Sequence, residues 1–247
     1  MSTPLQEATR PAPASSAAEV EGLMPRLLTR WLFREASVVR NDLVVPGLHR
    51  IELSGPELRG AKWAAGDKLQ IRMGSGLQTR TYTPMSWDAA EGRTTILAHA
   101  LAAGPGSEWA RRARPGQRVA VFGPRRSLDL SALPAAQGVL VGDETAIGLA
   151  AAWRPASTLL EVDHSAALQP LLGSLGINAT LLARRPEEHH LARLAEAALD
   201  QGPDRRFVLV GRARTIQFLR RALRQHGVAS GRILAKAYWA DGKAGLD

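Results

Sequence analysis

Four short stretches of this sequence carry side chains suited to gripping a phosphorylated, aromatic molecule. Arg80-Thr81-Tyr82-Thr83-Pro84 closes a strand-like run, and residues two apart on a strand share a face, so Arg80 and Tyr82 point the same way. A guanidinium fork can bind a pyrophosphate through two bonds, an aromatic ring can lie on a flavin, and a Thr hydroxyl or backbone amide can reach a ring nitrogen. An ordinary edge strand with a surface Arg would show the same letters. The second stretch, His99-Ala-Leu-Ala-Ala-Gly104-Pro105-Gly106-Ser107-Glu108-Trp109-Ala110, is a glycine-rich turn opening a helix. Free amides and the positive end of a helix dipole make such a turn a phosphate cradle, although a capped helix that binds nothing fits equally well. His99 alone reads as a hydrogen-bonded structural histidine.

The third, Val139-Leu-Val-Gly142-Asp143-Glu144-Thr145-Ala146, runs from an apolar strand through a sharp turn into a helix. A doubly wound sheet holds its nucleotide at such a turn, yet the GxGxxG fingerprint is absent. The fourth, Lys236-Ala-Tyr238-Trp239-Ala-Asp-Gly242-Lys243, sets two aromatics between two lysines, and a terminal strand covering the core would look alike.

The elements that position these stretches fall into two sets. From Trp31 to Phe122 short apolar runs (Ala36–Val39, Leu48–Leu53, Leu69–Met73, Thr94–Ala98, Val119–Phe122) alternate with turn chemistry such as Pro46-Gly47 and Pro115-Gly116, which predicts an antiparallel barrel. One helix is expected inside it, from about Ser107 to Arg114, with Ser107 as N-cap. Beyond Pro134 the strands Val139–Val141, Thr158–Val162, Ala179–Leu182 and Phe207–Val210 are each followed by a helix-compatible segment, the last running from Ala213 to His226. Strand alternating with helix predicts βαβ units and a parallel sheet covered on both faces. The expected division is a disordered tail over residues 1–22, a barrel domain over 23–134 and an α/β domain over 135–247.

Composition narrows the chemistry. The chain has 247 residues, of which 45% are hydrophobic and 22% charged, in the globular range. With no Cys, disulfides, thiolate metal sites and Cys nucleophiles are excluded, so redox work would need an organic cofactor held without a covalent bond. The net charge of +9 favours anionic partners without naming them. The first 22 residues hold no apolar run of a signal peptide, and no stretch approaches the ~20 apolar residues of a membrane span. A cytoplasmic monomer is the expectation.

Barrel first and nucleotide-type domain second is the order of the ferredoxin–NADP reductase superfamily. Within it, the four stretches in this order resemble the siderophore-interacting protein family of ferric-siderophore reductases. That family shows Arg-x-Tyr-Thr, then His-Gly…Gly-Pro-Ala-Ser-x-Trp-Ala, then Gly-Asp-Glu-Thr-Ala, then Tyr-Trp near the end. The likeness spans roughly residues 30 to 243. The resemblance implies a six-stranded N-terminal FAD-binding β-barrel, a C-terminal parallel-sheet NAD(P)H-binding α/β domain, and flavin-mediated reduction of siderophore-bound Fe(III). Carried over residue by residue, Arg80, Tyr82 and Thr83 would hold the flavin, and Gly104, Pro105, Gly106 and Ser107 would receive the pyrophosphate, with His99 and Trp109 beside them. Gly142, Asp143, Glu144 and Thr145 would line the coenzyme site, and Tyr238 and Trp239 would close over the flavin. Four departures stand out: Ala100 for Gly, Gly106 for Ala, Gly211-Arg212 for Gly-Glu, and Ala240 for the Arg common after Tyr-Trp.

No acid–base residue and no resident metal is required by this chemistry. An anionic ferric siderophore would be drawn to a basic rim, for which Arg125, Arg126, Lys236 and Lys243 are candidates, although each also reads as a solvated surface charge. Arg184 and Arg185 follow the strand Ala179–Ala183 directly, and two guanidinium forks past a strand end suit the 2′-phosphate of NADPH over NADH, although in so Arg-rich a chain both also read as solvated loop charges. A related reductase with another acceptor, a siderophore binder without catalysis and a nucleic-acid-binding protein are the rival readings. The basic residues are dispersed, which disfavours the last.

Overall fold

The computed structural model describes residues 33–243 apart from 75–77, 102 and 203, so the tail expected over 1–22 lies outside the described residues. Seven strands come first: β1 (Arg34–Val45), β2 (Leu48–Ser54), β3 (Lys68–Arg72), β4 (Thr79–Tyr82), β5 (Pro84–Asp88), β6 (Arg93–His99) and β7 (Arg118–Arg125). They form one antiparallel sheet in the order β4-β3-β7-β1-β2-β6-β5. The count corrects the expected six, because Pro84–Asp88 pairs with β6 as a strand of its own. Alternation decides the inward face: Ile51 and Leu53 of β2, Leu69 and Ile71 of β3 and Val119 and Val121 of β7 meet in one core, with Tyr82, Trp87 and Trp109 packed against it.

The two edge strands of this sheet, β4 and β5, are separated in sequence by Thr83 alone. The sheet has therefore curled until its edges meet, as an open barrel with a seam, and the Arg80–Pro84 stretch is that seam. Between β6 and β7 lies α1 (Pro105–Arg112). It begins two residues before the expected start. Gly104 occupies the cap position and Pro105 the first helical one, where a fixed φ suits the helix and a missing N–H costs nothing, so Ser107 lies inside the helix and caps nothing.

The second sheet has five parallel strands, β8 (Gly138–Gly142), β9 (Ser157–Val162), β10 (Ala179–Ala183), β11 (Arg206–Arg212) and β12 (Ile233–Trp239), in the order β10-β9-β8-β11-β12. Leu140, Leu160, Val208 and Val210 face one way, towards α2 (Ile147–Trp153) and α3 (Ser165–Ser174). Val139, Val141, Leu159, Phe207 and Leu209 face α4 (His190–Leu199) and α5 (Ala213–Gln225). Burial on both faces is why these strands read as unbroken apolar runs. Winding goes outward from β8 through β9 to β10, then returns to β11 on the other side of β8. The crevice between β8 and β11 is thus the topological switch point, where open α/β sheets bind ligands. Leu48 and Leu97 of the antiparallel sheet share a core with α2, which joins the two layers. Among the described residues, no helix is long and apolar enough to cross a membrane.

Candidate functional site

The seam and the start of α1 are built against each other. Tyr82 packs its ring 5.7 Å from that of Trp109, tilted by 47°, and its hydroxyl lies 3.5 Å from the carbonyl oxygen of Gly106. Burial raises the Tyr82 pKa above the ordinary phenol range, and the neighbouring Arg80 opposes this only in part. A Cβ on Gly106 would come within 2.9 Å of Arg80 Cγ and 3.2 Å of the Tyr82 hydroxyl, so the helix start lies flush against the seam. No side chain caps α1, and its first-turn amides are left for another acceptor. Arg80 donates to the carbonyl of Thr79 at 2.7 Å. His99 stands apart from this group: with Leu101 it faces Glu144 and His164 of the second layer, and its Nε2 is buried without a partner. The indole N–H of Trp109 is likewise buried and unbonded.

At the switch point, Asp143 is 1% exposed, and its carboxylate gathers donors from three elements. Oδ1 accepts the Thr145 amide at 2.8 Å and the Thr145 hydroxyl; Oδ2 accepts the Arg212 amide at 2.9 Å and Trp239 Nε1 at 2.7 Å. Gly211 makes room for this carboxylate. Its φ is +103°, and a Cβ there would lie 2.4 Å from Asp143 Oδ2, so both conformation and space demand glycine. Asp143 therefore ties the first βα turn to the C-terminal strand.

Glu144 also turns inward. It accepts the Asp163 amide at 2.8 Å and pairs with the Arg184 guanidinium at 2.9 Å, while Arg184 reaches Asp163 at 2.8 Å. Burial would depress the Arg184 pKa, but Glu144, Glu161 and Asp143 outweigh it and leave the group firmly charged. This corrects the expectation that Arg184 and Arg185 both face a ligand: Arg184 is an internal counter-ion, and only Arg185 is exposed. The carboxylates that capture Arg184 come from the ends of the two neighbouring strands, β8 and β9, which a reading of one turn does not bring together.

Tyr238 joins the two layers. Burial pushes its pKa up to about 12, a hydrogen bond with Thr83 pulls the other way, and the nearby Asp143 adds to the rise. Alternation along β12 sets Lys236 on the face of Tyr238. Trp239 lies beneath the Arg212 guanidinium, 5.7 Å from ring centre to Cζ. Arg212, where the resemblance expects Glu, pairs with Glu188 and Asp241 at 2.8 Å each. Of the remaining rim candidates, Lys243 is exposed beyond β12, whereas Arg125 stacks on Phe122 at 3.9 Å and donates to Gln70. Arg126 pairs with Asp129 at 3.2 Å and lines a separate cleft of about 540 Å³ walled by Trp63, Leu128 and Trp153. The basic residues thus belong to different surfaces. Glu161, His190, Thr215 and Asp163 were not singled out by motif or spacing, because each acts through neighbours from other strands.

A curled antiparallel sheet with a phosphate-ready helix start, followed by a parallel domain whose last strand touches the seam, defines a ferredoxin reductase-like module. A family model described as siderophore-interacting FAD-binding domain matches residues 70–128, and one described as siderophore-interacting protein matches 128–242. The siderophore-interacting protein SipS of Aeromonas hydrophila is 26% identical with a TM-score of 0.70, over 85% of this chain and 92% of that one. A siderophore utilization protein of T. fusca is 27% identical with a TM-score of 0.67, over 87% and 95%. A ferredoxin NADP+ reductase of Neisseria gonorrhoeae, 16% identical over 84% and 99%, shares the fold with a TM-score of 0.68. No curated protein sequence matches. The chain belongs to the siderophore-interacting protein family and carries its FAD-binding domain. The residues present fit FAD: a side-chain-free approach at Gly106, uncapped amides at α1 and the cationic Arg80 alongside.

Proposed function

We propose that this chain is a FAD-dependent ferric-siderophore reductase, passing electrons from NADPH to siderophore-bound Fe(III) and releasing Fe(II). The observation that carries the reading is the packing of Tyr238 and Met85 against one core with Leu48 and Leu97, which sets the nicotinamide-domain strand against the flavin-domain seam. Bound FAD supplies the exchange between a two-electron hydride donor and a one-electron acceptor. The protein's part is placement and electrostatics. Arg80 and the amides of Gly106 and Ser107 take the pyrophosphate, Tyr82 and Thr83 hold the ring, and Asp143 fixes Trp239 beside it. Arg185 receives the coenzyme 2′-phosphate, and Lys236 and Lys243 attract an anionic siderophore. In this reading the FAD domain ends near residue 134, and the NADPH domain begins at 135.

The test is anaerobic turnover of a ferric siderophore by the FAD-loaded protein, with a ferrous chelator to trap product. One NADPH carries two electrons and each Fe(III) takes one, so two Fe(II) should appear per NADPH oxidised. NADPH oxidation with a quinone or free flavin but none with any ferric siderophore would reassign the acceptor. Tight FAD binding with no NADPH oxidation at all would reduce the protein to a binder.

A further inference from the structure

Glu161 lies in β9 with no exposure to solvent, and none of the proposed steps needs it. A carboxylate withdrawn from water is costly unless every oxygen is bonded. Here Oε1 accepts the Thr215 hydroxyl at 2.7 Å, and Oε2 lies 2.7 Å from His190 Nε2. His190 is 4% exposed, and its other nitrogen, Nδ1, lies 3.1 Å from the backbone N of Arg185. A backbone amide can only donate, so Nδ1 must accept. The ring proton is therefore on Nε2, where it is given to Glu161. The carboxylate selects one tautomer, and that tautomer turns its lone pair to the coenzyme turn.

That turn is not held by its own backbone preferences. Glu187 and Glu188 have φ of 53° and 62°, left-handed values that side chains other than glycine adopt reluctantly. It is held by anchors instead: Arg184 on Glu144 and Asp163, Glu188 on Arg212 and Arg214 at 2.8 and 2.7 Å, and the Arg185 amide on His190. Arg185 is exposed and, unlike Arg184, Arg212 and Arg214, makes no ion pair among the described residues. We propose that His190, fixed in one tautomer by Glu161 and Thr215, is a positioning residue that aims Arg185 at the 2′-phosphate and so sets the preference for NADPH over NADH. The inference rests on the coenzyme reading above.

His190→Gln tests it in the FAD-loaded protein. Glutamine can still donate to Glu161 but has no acceptor where Nδ1 stands, so only the bond to Arg185 is lost. Calorimetry should find NADP+ binding weaker by about tenfold and NAD+ binding unchanged, the scale of one hydrogen bond to a site-forming group. In an Arg185→Ala background the same change should add less than about twofold, because the group being aimed is gone. ¹⁵N spectra of the histidines should show His190 protonated at Nε2. If His190→Gln does not fold, Glu161→Leu/His190→Leu removes the charge with its partner, keeps the core filled, and should show the same selective loss. Equal loss for NADP+ and NAD+, additive loss without Arg185, or a proton on Nδ1 would overturn the proposal. Wild-type protein that binds neither nucleotide would remove the coenzyme reading and this inference with it. Wild type that binds both equally well would overturn the inference alone.

Discussion

Replacing Asp143 with Asn changes one oxygen into an amino group and should unfasten the C-terminal strand. The Thr145 bonds can survive on the remaining oxygen. The other side is the problem: the Arg212 amide at 2.9 Å and the Trp239 indole N–H at 2.7 Å would both point at a new donor. Hydrogen bonds to a charged group contribute roughly 1.5–3 kcal/mol each, so losing two costs about 3–6 kcal/mol. At 1% exposure, water cannot fill in without opening the turn. That loss is a large share of the ~5–15 kcal/mol that holds a typical domain, and at ~2–4 °C per kcal/mol it lowers Tm by about 6 °C at the least. Urea and thermal melts of the FAD-free protein read it directly. Asp143→Asn melting within about 2 °C of wild type would mean that the carboxylate is not the tie between turn and strand.

Arg184→Ala and Arg185→Ala should part company: the first strands Glu144 and lowers stability by roughly 2–4 kcal/mol, while the second leaves the melt unchanged and cuts NADPH selectivity. Partial exposure of the Arg184 guanidinium keeps that loss below the figure for a sealed pair. Arg80→Ala should weaken FAD binding by about tenfold to a hundredfold, measured by quenching of flavin fluorescence, with unchanged affinity removing Arg80 from the site. The chain has only two tyrosines, Tyr82 and Tyr238, and both are held neutral beyond the ordinary phenol range. Their raised folded-state values mean that this stabilisation is complete below about pH 10 and is lost as pH climbs towards 12, so stability should fall over that interval. Phenolate absorbance appearing at pH 10 in still-folded protein would contradict it. Turnover of an anionic ferric siderophore should slow with added salt, since steering is screened beyond ~8–10 Å, and a flat profile would discard the basic rim.

The layers of this fold are legible in the sequence because burial dictates periodicity. Val139–Val141 and Phe207–Val210 read as strands of a parallel sheet covered on both faces, and Leu48–Leu53 as a strand of an antiparallel barrel. Pro84–Asp88 escaped because a strand that opens on Pro and alternates through Met, Ser and Trp carries little apolar signal. The start of α1 was misplaced because Ser107 is a good cap by type, while Pro105 is a better first residue by geometry. The inward turn of Asp143, Glu144 and Arg184 was illegible for a different reason. Charge on a motif suggests a ligand, and only the register of β8, β9 and β11 shows that these charges answer one another.

Thr83 makes the distance between the two edges of the open barrel a fixed length of chain. Loops absorb insertions and deletions with little complaint, but this one is a single residue between two strands of opposite edges. Adding one residue would either push the seam apart or slide β5 along β6 and turn Trp87 away from the barrel core. Deleting Thr83 would join Tyr82 directly to Pro84 and draw one edge strand out of register. Surface loops of the barrel can change length at small cost, but the spacing from Arg80 to Trp87 is a ruler that cannot be recut.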